Sequence, residues 1–148
     1  DAFNLLFYTK LSESKDETLA ALAAKSLKEV KYHLRHSTNW LIRLGDGTEE
    51  SNAKVQESLE EIWQFTAELF EMDEIDTELL NAGIAVDNKA LKLEWDEIVN
   101  STLKKAKLKR PEDGYMATGG KKGMHTEYLG FLLAEMQFLQ RAYPDAKW

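Results

Sequence analysis

The apolar positions of this chain recur three and four residues apart over most of its length, the spacing that lines up one face of an α-helix. The longest run covers Asp16 to Leu44. There Leu19, Leu22, Ala23, Ser26, Leu27, Val30, Leu34, Ser37, Leu41 and Leu44 form one stripe, with no Pro or Gly until Gly45. At 1.5 Å per residue this is a helix of roughly 40 Å, and covering its stripe requires comparable helices beside it, so the pattern predicts a bundle. Upstream, Phe3, Leu6, Phe7 and Leu11 predict a helix over Ala2 to Leu11, and Ser14-Lys15-Asp16-Glu17 has the form of a capping box with Ser14 at the N-cap. Gly45-Asp46-Gly47 stops the long helix. Thr48, followed by Glu49 and Glu50, caps a third that runs to about Phe70, with Val55, Leu59, Ile62, Thr66 and Leu69 on its inner face. So short a connection predicts an antiparallel hairpin.

The acidic segment from Glu71 to Val86 has room for one short helix around Asp76–Asn81, before Gly83. Asp87 is placed to cap a fourth helix carrying Leu91, Trp95, Ile98, Val99 and Leu103. It ends in a basic run, Lys104, Lys105, Lys107, Lys109 and Arg110, closed by Pro111. Cations suit the negative end of a helix dipole, so the run reads as a solvated helix end. A Gly-rich loop from Gly114 to Gly123 precedes a last helix, opened by Thr126-Glu127 and ended by Pro144. Its inward positions are expected to be Leu129, Leu132, Leu133, Met136, Leu139 and Tyr143. No segment alternates as a strand and nothing repeats, so the expectation is a single all-α domain over residues 1–148.

Composition narrows the function. Hydrophobic content of 43% and charged content of 30% in 148 residues suit one globular helical domain with a proper core. The absence of cysteine excludes disulfides, thiolate metal sites and thiol nucleophiles, and fits a cytoplasmic protein. A net charge of −7 argues against nucleic acid as a partner, and no apolar run is long enough to cross a membrane. The chain opens at Asp1 inside an amphipathic pattern and without Met, so we expect it to be a piece of a longer protein.

Two constellations carry candidate chemistry. Glu29 and His33 stand one turn apart, with His33 expected at the edge of the buried face beside Val30, Leu34 and Ser37. A carboxylate and an imidazole facing inward from a bundle helix are the start of a metal site, and Asp1 supplies a further carboxylate. Di-iron carboxylate bundles, however, use Glu-x-x-His, and none of the 3 histidines has Glu three residues before it: the residues there are Val30, His33 and Lys122. The pair therefore reads first as a buried, hydrogen-bonded histidine near a carboxylate. A remnant cation site, or a metal centre completed by residues elsewhere, is the alternative. The second constellation is Gly119-Gly120-Lys121-Lys122-Gly123-Met124-His125-Thr126. Glycines let the backbone approach an anion and two lysines supply charge, but the GxxxxGK[ST] order is missing. It reads as a linker, or as a contact for an acidic partner or the phosphates of coenzyme A through Lys121, Lys122 and His125. No nucleophile–base arrangement is recognisable. Trp40, Trp63, Trp95 and Trp148 read as core and interface residues.

Several blocks together resemble one known family. They are Ala24-Lys25-Ser26-Leu27-Lys28-Glu29-Val30-Lys31-Tyr32-His33-Leu34-Arg35, Trp40 to Thr48, Trp63 to Phe70, Asp73-Glu74-Ile75-Asp76, Gly83 to Asp87, Thr118 to Gly130 and Leu133 to Arg141. In this order they are similar to the structural, non-catalytic C subunits of bacterial phenylacetyl-coenzyme A ring epoxidases, over the later part of the family chain. The resemblance implies a ferritin-like bundle of long helices whose opening helices are missing here. It also implies a role in the multicomponent monooxygenase that epoxidises the aromatic ring of phenylacetyl-CoA. In that family the di-iron site belongs to the catalytic A subunit, and NADPH, flavin and an Fe–S cluster serve a separate reductase. The structural component has no functional iron centre; it pairs with the catalytic one and joins other subunits, or forms a homodimer or higher assembly when alone. Asp1, Glu29 and His33 would then be the remnant of a metal site, with no catalytic residue and no metal in this chain. The alternative is a di-iron oxygenase or a ferritin-like metal-binding bundle whose other ligands lie upstream of Asp1.

Overall fold

The computed structural model describes residues 1–147, and among them every regular element is helical. Six α-helices follow in order: α1 (Ala2–Leu11), α2 (Glu17–Gly45), α3 (Glu49–Trp63), α4 (Glu74–Asn81), α5 (Lys92–Lys105) and α6 (Tyr128–Ala142). Short 3₁₀ turns occupy Ala67–Phe70, Lys89–Leu91 and Gly120–Lys122. The chain divides into two compact units, residues 1–117 and 118–148.

In the first unit α2 packs against α1, α3 and α5, and α1 packs against α5. The turns at the helix ends show what fixes this order. The N-cap of α2 is Asp16, whose carboxylate accepts from the Leu19 amide at 2.9 Å. Ser14, which has the cap position in the sequence pattern, instead donates its hydroxyl to the Ile84 carbonyl at 2.8 Å. That bond and Lys15 N–H to the Gly83 carbonyl (3.0 Å) stitch the α1–α2 connection to the end of α4. Gly83 there takes φ +78°, where the Ile84 amide reaches back to the Leu79 carbonyl. Thr48 caps α3 as its sequence suggests, accepting from the Ser51 amide at 3.2 Å.

Helix α3 stops at Trp63, earlier than the periodicity predicts. The Thr66 hydroxyl bonds the Trp63 carbonyl at 2.8 Å, and the following 3₁₀ turn carries Phe70 back into the interior. Asp73 and Asp76 then form a reciprocal capping box that begins α4. Asp87, expected to cap the fourth helix, lies before the 3₁₀ turn that precedes α5, where its carboxylate accepts from the Ala90 amide at 3.2 Å; Asn88 is the N-cap of that turn.

Two buried clusters hold the unit together. Trp63, Phe70, Val86, Leu91 and Trp95 form one, lined by Phe3, Leu6 and Phe7 from α1. Leu103, Ala106 and Leu108 form the other, against Leu41 and Ile42 of α2 and Val55 of α3. The second depends on how α5 ends. Lys107 adopts φ +56°, the Leu108 amide bonds the Leu103 carbonyl at 3.0 Å, and Leu108 folds over Leu103. This brings Ala106, fully buried, against the last residue of α2, Gly45. The stripe of α2 is shifted accordingly: Ala23, Val30 and Gly45 are its buried positions, whereas Leu22, Ser37 and Leu44, expected inside, are exposed.

In the second unit most apolar side chains of α6 are exposed, including Leu132, Leu133, Met136 and Leu139, as is Tyr143 just past its end, all expected to face inward; only Leu129 is half-buried. Among the four tryptophans Trp63 and Trp95 are core residues and Trp40 is exposed; Trp148 lies outside the described residues.

Candidate functional site

Glu29 and His33 project from the outer surface of α2 and both are exposed, which overturns the expectation of a buried histidine. The reason is the register of α2: its buried positions pass through Ala23 and Val30, leaving His33 off that line. The His33 ring lies beside Tyr32, 6.1 Å between centroids, and its carbonyl accepts from the Ser37 hydroxyl at 3.0 Å. Asp1 is the exposed N-cap of α1, its carbonyl accepting from the Leu5 amide and its carboxylate making no capping bond. No group of three or more His, Asp or Glu placed to hold a metal ion occurs among the described residues. One imidazole and two carboxylates on exposed positions do not fit a di-iron centre, which needs several carboxylates and imidazoles converging on one inward face.

The Gly-rich loop is a defined turn. Gly119 at φ +93° and Gly123 at φ +82° flank the 3₁₀ turn, and the Gly119 carbonyl accepts from Lys122 (2.8 Å) and Met124 (3.1 Å). A side chain at Gly119 would press on the Met124 sulfur at 3.2 Å, so both its φ and its surroundings call for glycine. Lys121, Lys122 and His125 are exposed around this turn.

Sequence reasoning missed two features. The first is the role of Arg110, read as part of a solvated helix end. Its guanidinium is half-buried, bonded to Asp96 at 2.8 Å and to the Asn100 side chain at 2.9 Å, and lies 4.9 Å from the centre of the Trp63 ring. Lys92 holds the other side of Asp96 at 2.7 Å, and the Trp63 indole N–H donates to Asp113 at 2.8 Å. Along α3 Asn52 bonds the Gly45 carbonyl, Gln56 exchanges two bonds with the Lys109 backbone, and just past the helix end the Gln64 carbonyl accepts from Ala117. Residues 107–117 are thus strapped along α3 rung by rung. Only the four-residue spacing of Asn52 and Gln56 hints at this in the sequence.

Burial alone would push the Asp96 carboxyl up, but the hydrogen bonds and charges of Lys92 and Arg110 hold it below the ordinary aspartate value of 3.8. A carboxyl with a depressed folded-state pKa adds stability above its unfolded value, and that stability is lost as pH falls through the folded one. Asp96→Asn should therefore cost roughly 1–2 kcal/mol at pH 7. It should also flatten the decline of the urea midpoint below pH 4. Parallel acid titration of the variant and the parent checks this, and identical slopes would remove Asp96 from the account.

The second feature is an exposed aromatic ladder on α2. Tyr32 and His36 are stacked at 6.0 Å, and His36 meets Trp40 edge-on at 6.4 Å. Arg35 lies 5.6 Å from the Tyr32 centroid and Arg43 5.7 Å from that of Trp40. A groove of about 450 Å³ between α1 and the α4–α5 connection, bordered by Lys10, Glu13, Asp87 and Glu94, includes none of the candidate site residues Asp1, Glu29, His33, Lys121, Lys122 and His125.

These observations define a class first: a helical protein whose regular structure is spent on packing and surface, with no assembled metal-ligating cluster among the described residues. The chain belongs to the family described as "Phenylacetic acid catabolic protein", whose profile matches residues 1–148, and the ferritin-like helical fold goes with that membership. It is 49% identical over 148 residues to the C subunit of the 1,2-phenylacetyl-CoA epoxidase of Escherichia coli (strain K12). That match covers 100% of this chain and 60% of the relative's length. No helix among the described residues is long and apolar enough to cross a membrane.

Proposed function

We propose that the protein is the structural, non-catalytic component of a cytoplasmic phenylacetyl-CoA epoxidase, supporting a catalytic partner that holds the di-iron site. The observation that carries this reading is the 49% identity, over 100% of this chain and 60% of the relative, to a protein named as a subunit of that enzyme. Asp1, Glu29 and His33, the residues that stand where such a site would begin, are exposed and apart from any larger group of His, Asp or Glu among the described residues. Iron, when bound in the partner, supplies the oxygen chemistry, with electrons from NADPH through a flavin and Fe–S reductase. This chain contributes helical surface. Lys121 and Lys122 offer positive charge, and His125 a hydrogen-bonding ring, to the coenzyme A phosphates or to an acidic partner segment.

The test is the iron content of the purified protein, alone and co-expressed with its catalytic partner, together with the mass of the intact assembly. Expected is no stoichiometric iron in the protein alone, and iron with ring epoxidation in a stable complex. Stoichiometric iron in the protein alone would reverse the reading and make it a metalloenzyme. In the complex, Lys121→Ala with Lys122→Ala should weaken phenylacetyl-CoA binding roughly five- to thirtyfold, with helical content unchanged. Unchanged affinity and unchanged assembly would free the loop of any binding role.

A further inference from the structure

Residues 109–117 lie along α3, and none of them is buried. Polar bonds hold most of the stretch. At one end Gln56 accepts from the Lys109 amide at 2.9 Å and donates to its carbonyl at 3.0 Å. At the other the Ala117 amide donates to the Gln64 carbonyl at 2.8 Å, beside Met116, which packs half-buried against the Trp63 cluster. In between, Arg110 reaches Asp96 at 2.8 Å and Asn100 at 2.9 Å, and Asp113 takes the Trp63 indole N–H at 2.8 Å. Leu108, one residue earlier, is different: it is 7% exposed, belongs to the second core cluster and bonds the Leu103 carbonyl through its amide. A segment with exposed hydrogen bonds and little buried apolar surface opens at a free energy below that of the core it lies on.

We propose that residues 109–117 form a strap that opens as one unit while the helical core stays folded, with Arg110 as its latch. The bonds that close it are interlocked. Arg110 grips α5 through Asp96 and Asn100, and Asp113, 3.9 Å from the same guanidinium, grips the end of α3 through Trp63. Releasing Arg110 lifts its charge from the Trp63 and Trp95 rings, whose centres lie 4.9 and 6.0 Å away, and removes the cation beside Asp113. Buried Leu108 fixes the hinge at one end. At the other, Ala117 is followed directly by Thr118, where the second compact unit begins. With the strap closed that unit is tethered at Ala117; with it open, at Leu108. The difference is the contour of the strap, about 30 Å when extended. The latch therefore sets the reach of the segment that carries Lys121 and Lys122.

The experiment is hydrogen exchange followed by nuclear magnetic resonance on the full-length protein, repeated at several low urea concentrations. The probes are the Lys109 and Ala117 amides and the Trp63 indole N–H, with the Leu108 amide as the core reference. The three probes should share one protection factor, at least tenfold below that of Leu108. Their exchange should depend weakly on urea, because opening the strap exposes little surface. Gln56→Ala removes only the bonds to Lys109, yet it should speed exchange of the Ala117 amide and the Trp63 indole by roughly tenfold, the effect of about two hydrogen bonds. Arg110→Ala should speed all three probes by roughly ten- to a hundredfold. Probes as protected as Leu108, with the same urea dependence, would overturn the proposal, since the strap would then open only when the whole protein unfolds. Faster exchange confined to Lys109 in Gln56→Ala would overturn it as well, because the rungs would be breaking one at a time. The parent and Gln56→Ala decide the matter by themselves if Arg110→Ala fails to fold.

Discussion

Gly45→Ala is expected to destabilise the protein by roughly 2–4 kcal/mol, although alanine is the better helix former by about 1 kcal/mol. Gly45 closes α2 in ordinary helical conformation, so freedom of its backbone is not the point. A Cβ built there falls 2.3 Å from the Ala106 carbonyl oxygen and 3.0 Å from the Ala106 Cβ. Both belong to Ala106, fully buried in the turn that ends α5, and a backbone carbonyl cannot swing aside as a long side chain does. Separating the two backbones also loosens Asn52, whose amide bonds the Gly45 carbonyl at 2.6 Å and the Lys107 carbonyl at 3.3 Å. The urea midpoint should fall with little change in slope, because the surface exposed on unfolding is nearly the same. Gly114→Ala is the control, since nothing lies within 4 Å of a Cβ at that position, and it should be close to neutral. A Gly45→Ala protein as stable as its parent would mean that α2 and α5 do not meet as described.

That contact also marks where the sequence stops being informative. Helix existence was legible throughout, because a 3.6-residue period is a local property: α1, α2 and the Thr48 cap of α3 fall where the pattern places them. Partners that lie far apart along the chain were not legible. Gly45 reads as a stop signal on composition alone, and nothing local to it points to Ala106, on the far side of α3 and α4 in the chain. Ser14 and Asp16 both suit an N-cap, and Ile84 decides between them by taking the Ser14 hydroxyl. Arg110 looks like the tail of a basic run until Asp96, Asn100 and Trp63 surround it. For the candidate site the sequence lacks the Glu-x-x-His spacing of a di-iron bundle. It misplaced His33, because a stripe of period 3.6 defines a face only to within one neighbouring row, and the row through Val30 is the one the bundle covers. The aromatic ladder on α2 was present in the same letters. Telling an exposed row from a buried one requires knowing which helices cover α2, and that is tertiary information.

The second large effect is expected at the junction of α3 and α5. Trp95→Ala should lower stability by about 3–5 kcal/mol, the range for truncating a large aromatic side chain in a core. Trp95 is 5% exposed and packs between two rings, Trp63 at 5.8 Å and Phe70 at 5.4 Å between centroids. The ammonium of Lys92 lies 5.2 Å from its ring centre and the Arg110 guanidinium 6.0 Å, so the indole also provides the aromatic wall on which the Asp96 cluster rests. Truncation leaves a cavity the size of an indole, and Phe70 sits on a short 3₁₀ turn that α3 does not extend to support. Trp95→Phe keeps a ring for both cations and should cost less than half as much. A double-mutant cycle with Phe70→Leu isolates the edge-to-face pair, whose coupling should be about 0.5–1.5 kcal/mol. Far-UV circular dichroism in urea is the suitable probe, because removing a tryptophan alters the fluorescence signal itself. A loss below about 1 kcal/mol for Trp95→Ala would place the centre of the core elsewhere, since truncating a buried aromatic ring costs several times that. A large loss with no coupling to Phe70 would assign the energy to Trp63 and the cations instead.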